Sequence, residues 1–335
     1  MVSLPQTDKE TNQMVRIYFH GNCQAVALSR YWREHFPDDQ VFANHVYSMD
    51  IVDLQNYESL CRNCDIIVSQ VISDDYRDEF RLSTHWIRDN KKADGILIVL
   101  PTLFYRGQTP QSFYIHGIKH FRSTYHDAHV IDLFCRGYED ADILRSIMAE
   151  QFLTPEIIDT VCNQTIGETI SREELGKVDI KVSDLYERYQ RSRLLFNSIN
   201  HPTRFVMMRV MERVLDYLGI PLTPHEKGED FLADVIIPPY PSVASHLGIR
   251  GVTNLNLYRV DHRPDTADSF LRGLLVHYKV KVGREELWRA VNQNPRLVAY
   301  LEMCRPKEQP GRYRSAAGHG PDDGTKLSKA GALRV

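Results

Sequence analysis

Two uninterrupted apolar runs, Ile66-Ile67-Val68 continuing into Ser69-Gln70-Val71 and Ile96-Leu97-Ile98-Val99-Leu100, restrict the fold of this chain most. A strand with one wet face alternates apolar and polar residues, whereas one that is apolar at every position is buried on both faces. Such strands belong to parallel sheets covered by helices on both sides. Residues 15–25, Val-Arg-Ile-Tyr-Phe-His-Gly-Asn-Cys-Gln-Ala, read as a preceding strand, a turn at Gly21 and Asn22, and the start of a helix. Residues 41–47 supply a second strand, and residues 130–134 a further one that closes the series. Helical stretches alternate with them. They cover 25–36, with Ala27, Leu28, Tyr31 and Trp32 inward, then 53–61, 78–90, and 139–152 with Ile143, Leu144, Ile147, Met148 and Phe152 on one face. The expectation is an α/β fold, a parallel sheet flanked by helices, with the ligand crevice at the carboxyl ends of the strands.

Beyond residue 154 the texture turns helical. Ser171-Arg172-Glu173-Glu174 has capping-box spacing, and residues 184–198 form a long amphipathic segment. Asn200-His201-Pro202 then breaks the pattern before a helix over 203–218, stopped by Gly219 and Pro221. Met207, Met208 and Met211 in that helix read as core filling. Residues 223–265, rich in proline, glycine and histidine, look like a long connection, and helices over 270–280 and 285–303 close the chain. The expected organisation is therefore a sheet domain over 14–153, a mainly helical part over 154–304 packing on the cleft, and a flexible tail over 305–335.

The 335 residues suffice to bury a core without covalent staples, and 42% hydrophobic with 25% charged content is that of a globular protein. A net charge of −3 gives no general attraction to nucleic acid or acidic lipid, so any anion site is local. Residues 1–13 are polar and carry no signal-peptide core, and the apolar run at 96–100 is far short of the ~20 residues of a membrane span. The six cysteines are scattered rather than arranged as a disulfide framework. A reducing cytoplasm is expected.

Chemistry concentrates at the first turn. Cys23 and Gln24 fall where a strand ends and a helix begins, among free N–H groups and at the positive end of the helix dipole. A thiol in that position is activated toward thiolate, and the same N–H groups hold an oxyanion or phosphate; as a plain structural feature, the turn needs only small residues. Cys61-Arg62-Asn63-Cys64 matches C-x-x-C, but no second pair accompanies it and no metal is expected. His116, His120, His126 and His129 crowd one loop. Within it Tyr125-His126-Asp127 offers His126 as a general base, although neighbouring side chains usually point apart. His201 is the stronger base, fixed in the break between helices, with Asn200 alternatively a helix cap and Pro202 a helix start. Walker A, G-x-G-x-x-G and G-x-S-x-G signatures are missing, which disfavours nucleotide hydrolysis, Rossmann dinucleotide binding and a serine α/β-hydrolase.

Five segments in order across residues 15–220 resemble the WcbI-type polysaccharide-biosynthesis proteins, a family of coenzyme A-binding acetyltransferases. They are Gly21-Asn22-Cys23-Gln24, Val68-Ser69-Gln70, Pro101-Thr102-Leu103-Phe104-Tyr105, Tyr125-His126-Asp127 and Phe196-Asn197-Ser198-Ile199-Asn200-His201-Pro202. The resemblance implies a sheet domain like that of SGNH-type esterases, with Cys23 in the place of the esterase serine and a coenzyme A cleft beside it. The implied activity is acyl transfer from acetyl-coenzyme A to a sugar hydroxyl of a capsular or other surface polysaccharide precursor. Cys23 is nucleophile or oxyanion-site residue, and His201 is base, with His126 second. Asn22, Gln24, Gln70 and Asn200 are oxyanion or substrate donors, and Gly21, Arg30, Arg106 and Arg204 are cofactor contacts. Two rival readings stand beside it, an SGNH-like esterase or thioesterase and a non-catalytic coenzyme A or anion-binding module.

Overall fold

The computed structural model describes residues 14–119, 121–122, 124–249, 258–260 and 263–305. The first part alternates β1 (Arg16–Gly21), α1 (Cys23–His35), β2 (Gln40–His45), α2 (Ile51–Asn63), β3 (Ile66–Gln70), α3 (Thr84–Asn90) and β4 (Ile96–Leu100). The four strands form one parallel sheet in the order β2-β1-β3-β4. Its period-two alternation fills two layers. Ile17 and Phe19, Ile66 and Val68, and Ile98 and Leu100 pack with Ala27, Leu28, Tyr31 and Trp32 of α1. Tyr18, Ile67 and Leu97 face the other way, onto Tyr57 and Cys61 of α2 and Trp86 and Ile87 of α3. The apolar runs are buried on both faces, as their sequence requires.

The fifth strand expected at 130–134 is a helix. After an antiparallel pair, β5 (Ser112–Tyr114) and β6 (Tyr125–Asp127), the chain turns into α4 (Ala128–Cys135). The Asp127 carboxylate accepts the N–H groups of His129 and Val130, both at 3.0 Å, and so caps it. Four apolar residues around Asp132 fit either a buried strand or a buried helix, and here the cap decides. The helix expected over 78–90 is confined to α3, behind two short 3₁₀ turns.

Then follow α5 (Asp140–Ile147), α6 (Pro155–Gly176) and α7 (Ser183–Tyr189). The supposed capping box at 171–174 lies inside α6, with Glu173 turned inward to accept from Val182 N, Ser183 N and Ser183 Oγ. The long helix expected over 184–198 ends at Tyr189. Buried Gln108 stitches down the chain that leaves it, donating to the Gln190 and Arg193 carbonyls and accepting from Leu195 N. That extended chain becomes β7 (Phe196–Ser198), paired with β8 (His201–Pro202) ahead of α8 (Arg204–Leu218). Asn200 and His201 thus occupy a β-hairpin, not a break between helices, and the residue at the N-cap of α8 is Thr203.

Next come α9 (Pro241–Leu247), the short pair β9 (Tyr258–Val260) and β10 (Arg263–Asp265), and α10 (Ala267–His277). The single closing helix expected over 285–303 is two, α11 (Arg284–Asn292) and α12 (Pro295–Cys304), parted where Asn294 caps the second and Pro295 opens it. One apolar cluster runs from Ile17 through Met207, Met208 and Met211 of α8 to Leu301 of α12, joining sheet and helices. The tail at 306–335 and His120 lie outside the described residues.

Candidate active site

The carboxyl ends of the parallel strands carry Gly21, His45, Gln70 and Leu100. Asn22 caps α1, its Oδ1 accepting Gln24 N at 2.9 Å, while its own N–H donates to Gln70 Oε1 at 2.8 Å. Gly21 is required by this close approach, because a Cβ there would stand 2.9 Å from Gln70 Cγ and Cδ. Cys23 is therefore the first residue of α1, half-buried at the end of the sheet where sequence places it.

Gln24 holds the turn to two other segments. Its Nε2 donates to the Leu103 and Asn200 carbonyls, both at 2.7 Å. Its Oε1 accepts from Leu103 N at 3.0 Å and from Gln70 Nε2 at 2.7 Å. Both amide hydrogens and both lone pairs are spent inside the protein, so Gln24 has no side-chain N–H left for an oxyanion. It acts as a clamp, and what it clamps is the hairpin that carries His201.

His201 Nδ1 lies 3.3 Å from Asp234 Oδ1, at ion-pair distance but without hydrogen-bond alignment. The Cys23 thiol is the ring's other partner. Burial alone pushes the imidazolium down, but Asp234 and Cys23 outweigh it and raise His201 from 6.5 to about 9. Asp234 is held below the usual carboxylate range, chiefly by His201. Thiol, imidazole and carboxylate form a chain, with the His201 side chain 14% exposed. Asp234 carries no sequence signal, sitting in the irregular 223–265 stretch, and only tertiary structure brings it to the hairpin.

A hydroxyl network borders this chain. Tyr125 Oη donates to Asn200 Oδ1 and receives hydrogen bonds from Tyr114 Oη at 3.0 Å and Ser198 Oγ at 3.1 Å. With Oδ1 so engaged, the Asn200 amide is oriented, and its Nδ2 is directed away from Tyr125.

The remaining sequence candidates lie elsewhere or are otherwise engaged. His126 follows Tyr125 in β6 and so points to the opposite face, where it is buried and its Nδ1 meets Tyr278 Oη at 2.9 Å. Arg204 is buried, paired with Glu34 at 2.6 Å and laid over the Tyr31 ring. Arg106 is stacked 4.1 Å over Phe113, and burial lowers its pKa. Arg30 is exposed near the sheet ends, over Phe231 and close enough to His45 to help depress that imidazole, which burial depresses first. Cys61 and Cys64 are free and buried, and burial pushes them up to about 12 and about 11. Among the described residues no group of three potential ligands could hold a metal ion. Nor is any described helix long and apolar enough to cross a membrane.

A profile for the polysaccharide biosynthesis enzyme WcbI matches residues 16–223, which include the Cys23 turn and the His201 hairpin. The chain belongs to the WcbI family. A solved structure of WcbI, described as a novel polysaccharide biosynthesis enzyme, superposes with a TM-score of 0.75 at 18% identity. The match covers 87% of this chain and 99% of that one, and at this identity it is evidence of shared fold. That structure is described as the native protein without a disulfide bond between coenzyme A and a cysteine of its own. Curated proteins give no match. The parallel sheet flanked by helices, with a helical C-terminal part, is thus the fold of a WcbI-family polysaccharide biosynthesis enzyme. Asp234 lies just beyond the matched span, so the family signal reaches the thiol and the imidazole but not the carboxylate.

Proposed function

We propose that this protein is an acyl-coenzyme A-dependent O-acyltransferase, most simply an acetyltransferase, that modifies a sugar hydroxyl of a surface polysaccharide precursor. The observation that carries the reading is the Cys23–His201–Asp234 chain at the carboxyl ends of the sheet. Family membership supports a polysaccharide setting, and the coenzyme A named for the WcbI structure supports the donor.

An imidazolium raised to about 9 is a poor base at neutral pH but a good partner for a thiolate. In the first half-reaction the Cys23 thiolate attacks the thioester carbonyl, and the departing coenzyme A sulfur takes a proton from His201. The acyl-enzyme then carries no charge at sulfur, so one of the two groups holding the imidazolium is gone. Neutral His201, oriented by Asp234, accepts the sugar hydroxyl proton as the oxygen attacks the acyl carbon, and the Cys23 thiolate leaves. The charges return to their starting state. The N-terminal turn of α1 and the amides of Asn22 and Asn200 are the donors for the tetrahedral oxyanion, each such donor being worth about 2.7–4 kcal/mol. Of the arginines picked out from the sequence for coenzyme A phosphate, Arg30 is the exposed one.

The test is release of free coenzyme A from acetyl-coenzyme A with and without a panel of nucleotide sugars. Release that depends on one sugar, with an alkali-labile acetyl ester in the product, is expected. Release of acetate at full rate without acceptor would make the protein a thioesterase. Coenzyme A binding with no turnover of the donor would make it a binding module.

A further inference from the structure

Two tyrosine rings beside the site are left partly in solvent, each packed against one neighbouring ring. Tyr47 follows β2, whose last residue His45 is in register with Gly21 of the cysteine turn. Its ring packs on His45 at 5.1 Å between centroids and remains 52% exposed. Tyr114 ends β5, packs on Tyr125 at 4.8 Å, and remains 38% exposed. The Tyr114 hydroxyl donates to Tyr125, which donates to Asn200, the residue before His201. The Tyr114 carbonyl is tied to Asn294 at the head of α12. Both phenols are raised first by burial, and both also feel the charge of Cys23.

Single exposed rings are ordinary on a protein surface, and what distinguishes these two is their place, one just past the carboxyl end of β2 and the other on the hydroxyl network that ends at Asn200. Tyr114, whose hydroxyl is bound into the Tyr125 network, presents an apolar face at a reduced ordering cost on binding, and Tyr47, packed on His45, presents a second face. That shape complements a pyranose, which has an apolar C–H face and a polar rim. We propose that Tyr47 and Tyr114 form the acceptor subsite, each stacking against a pyranose ring face and together presenting the sugar's rim hydroxyl to His201 and the acyl group on Cys23. The proposal rests on the acyltransferase reading for its reaction, but not for its binding chemistry.

Saturation-transfer NMR on the full chain tests it without turnover. Aromatic protons are irradiated in the presence of methyl β-D-glucopyranoside or methyl α-D-mannopyranoside, with sorbitol as a polyol that has no ring face. Transfer to the ring C–H protons of at least one pyranoside and none to sorbitol is expected, and Tyr47→Ala and Tyr114→Ala should each weaken binding by about tenfold. The thermal shift produced by coenzyme A, read in parallel, shows that each variant keeps its cleft, and Tyr47→Leu and Tyr114→Leu serve if an alanine variant does not fold. Undiminished transfer in the doubly substituted protein would overturn the proposal. So would the lack of transfer from a wild-type protein that binds coenzyme A. Failure of acetyl-coenzyme A turnover with intact pyranoside transfer would instead count against the acyltransferase reading alone.

Discussion

The molecule contains two histidine–aspartate–tyrosine neighbourhoods made of the same residue types, and they are in opposite electrical states. Around Cys23, at the carboxyl ends of the sheet, His201 faces Asp234, and its pKa is carried up to about 9. At the end of β6, Asp127 is buried, hydrogen-bonded at 2.7 Å by Tyr240 and used as a helix cap. Burial drives the Asp127 pKa up to about 6 and that of neighbouring His129 down to about 3. In the first place charge is stabilised by an opposite charge, and in the second it is suppressed by desolvation. The thiolate chemistry proposed for Cys23 needs a partner that sustains charge, which the first neighbourhood supplies and the second does not.

The largest expected effect comes from removing the sulfur. Cys23→Ala should lower acyl transfer by at least about 10³-fold, read as coenzyme A release, because the proposed acyl intermediate forms on its sulfur. His201→Asn should follow at about 10²–10⁴-fold in the same assay. Full activity of either variant would erase the contrast between the two neighbourhoods.

Asp234→Asn sharpens the comparison, since it removes one charge and leaves the shape. His201 should then titrate closer to 6.5, followed by NMR of its ring protons, with a loss in rate of about tenfold or more. The sign for stability follows from the raised value. The contribution of the His201 ion pair is fully present below 6.5 and disappears as pH rises through about 9, so alkaline destabilisation over that window should shrink in the variant.

Gln24→Leu probes the clamp. Its loss leaves the Leu103 and Asn200 carbonyls and Leu103 N without a partner, at a cost of about 1–3 kcal/mol each before relaxation, seen by denaturant unfolding. The smallest effect on turnover should come from the buried neighbourhood. His126→Asn should lose stability while keeping acyl transfer within about threefold, because His126 contacts Tyr278 rather than Cys23.

The sequence carried the sheet because residues buried on both faces leave an unmistakable apolar run, and it carried the cysteine turn because Gly21, Asn22 and Cys23 are adjacent in the chain. It did not carry the state of residues 130–134, where the Asp127 cap outweighed an ambiguous apolar pattern. Nor did it carry the hairpin around His201, which is set by Gln108 and Ile237 reaching from distant segments. Asp234 was hidden for the same reason, since a carboxylate in irregular chain has no spacing to betray it. Tyr125 and His126 show the converse, for the alternation of β6 sends one toward Asn200 and the other into the interior.

The central claim is that Cys23 carries the acyl group. The direct measurement is mass analysis of the Cys23 peptide after brief exposure of the full chain to acetyl-coenzyme A with no acceptor present. An acetyl thioester on Cys23 that hydroxylamine removes, and that disappears when a competent sugar is added, is the predicted result. Acetylation of the sugar at full rate with Cys23 unmodified at every time point, and undiminished in Cys23→Ala, would contradict it.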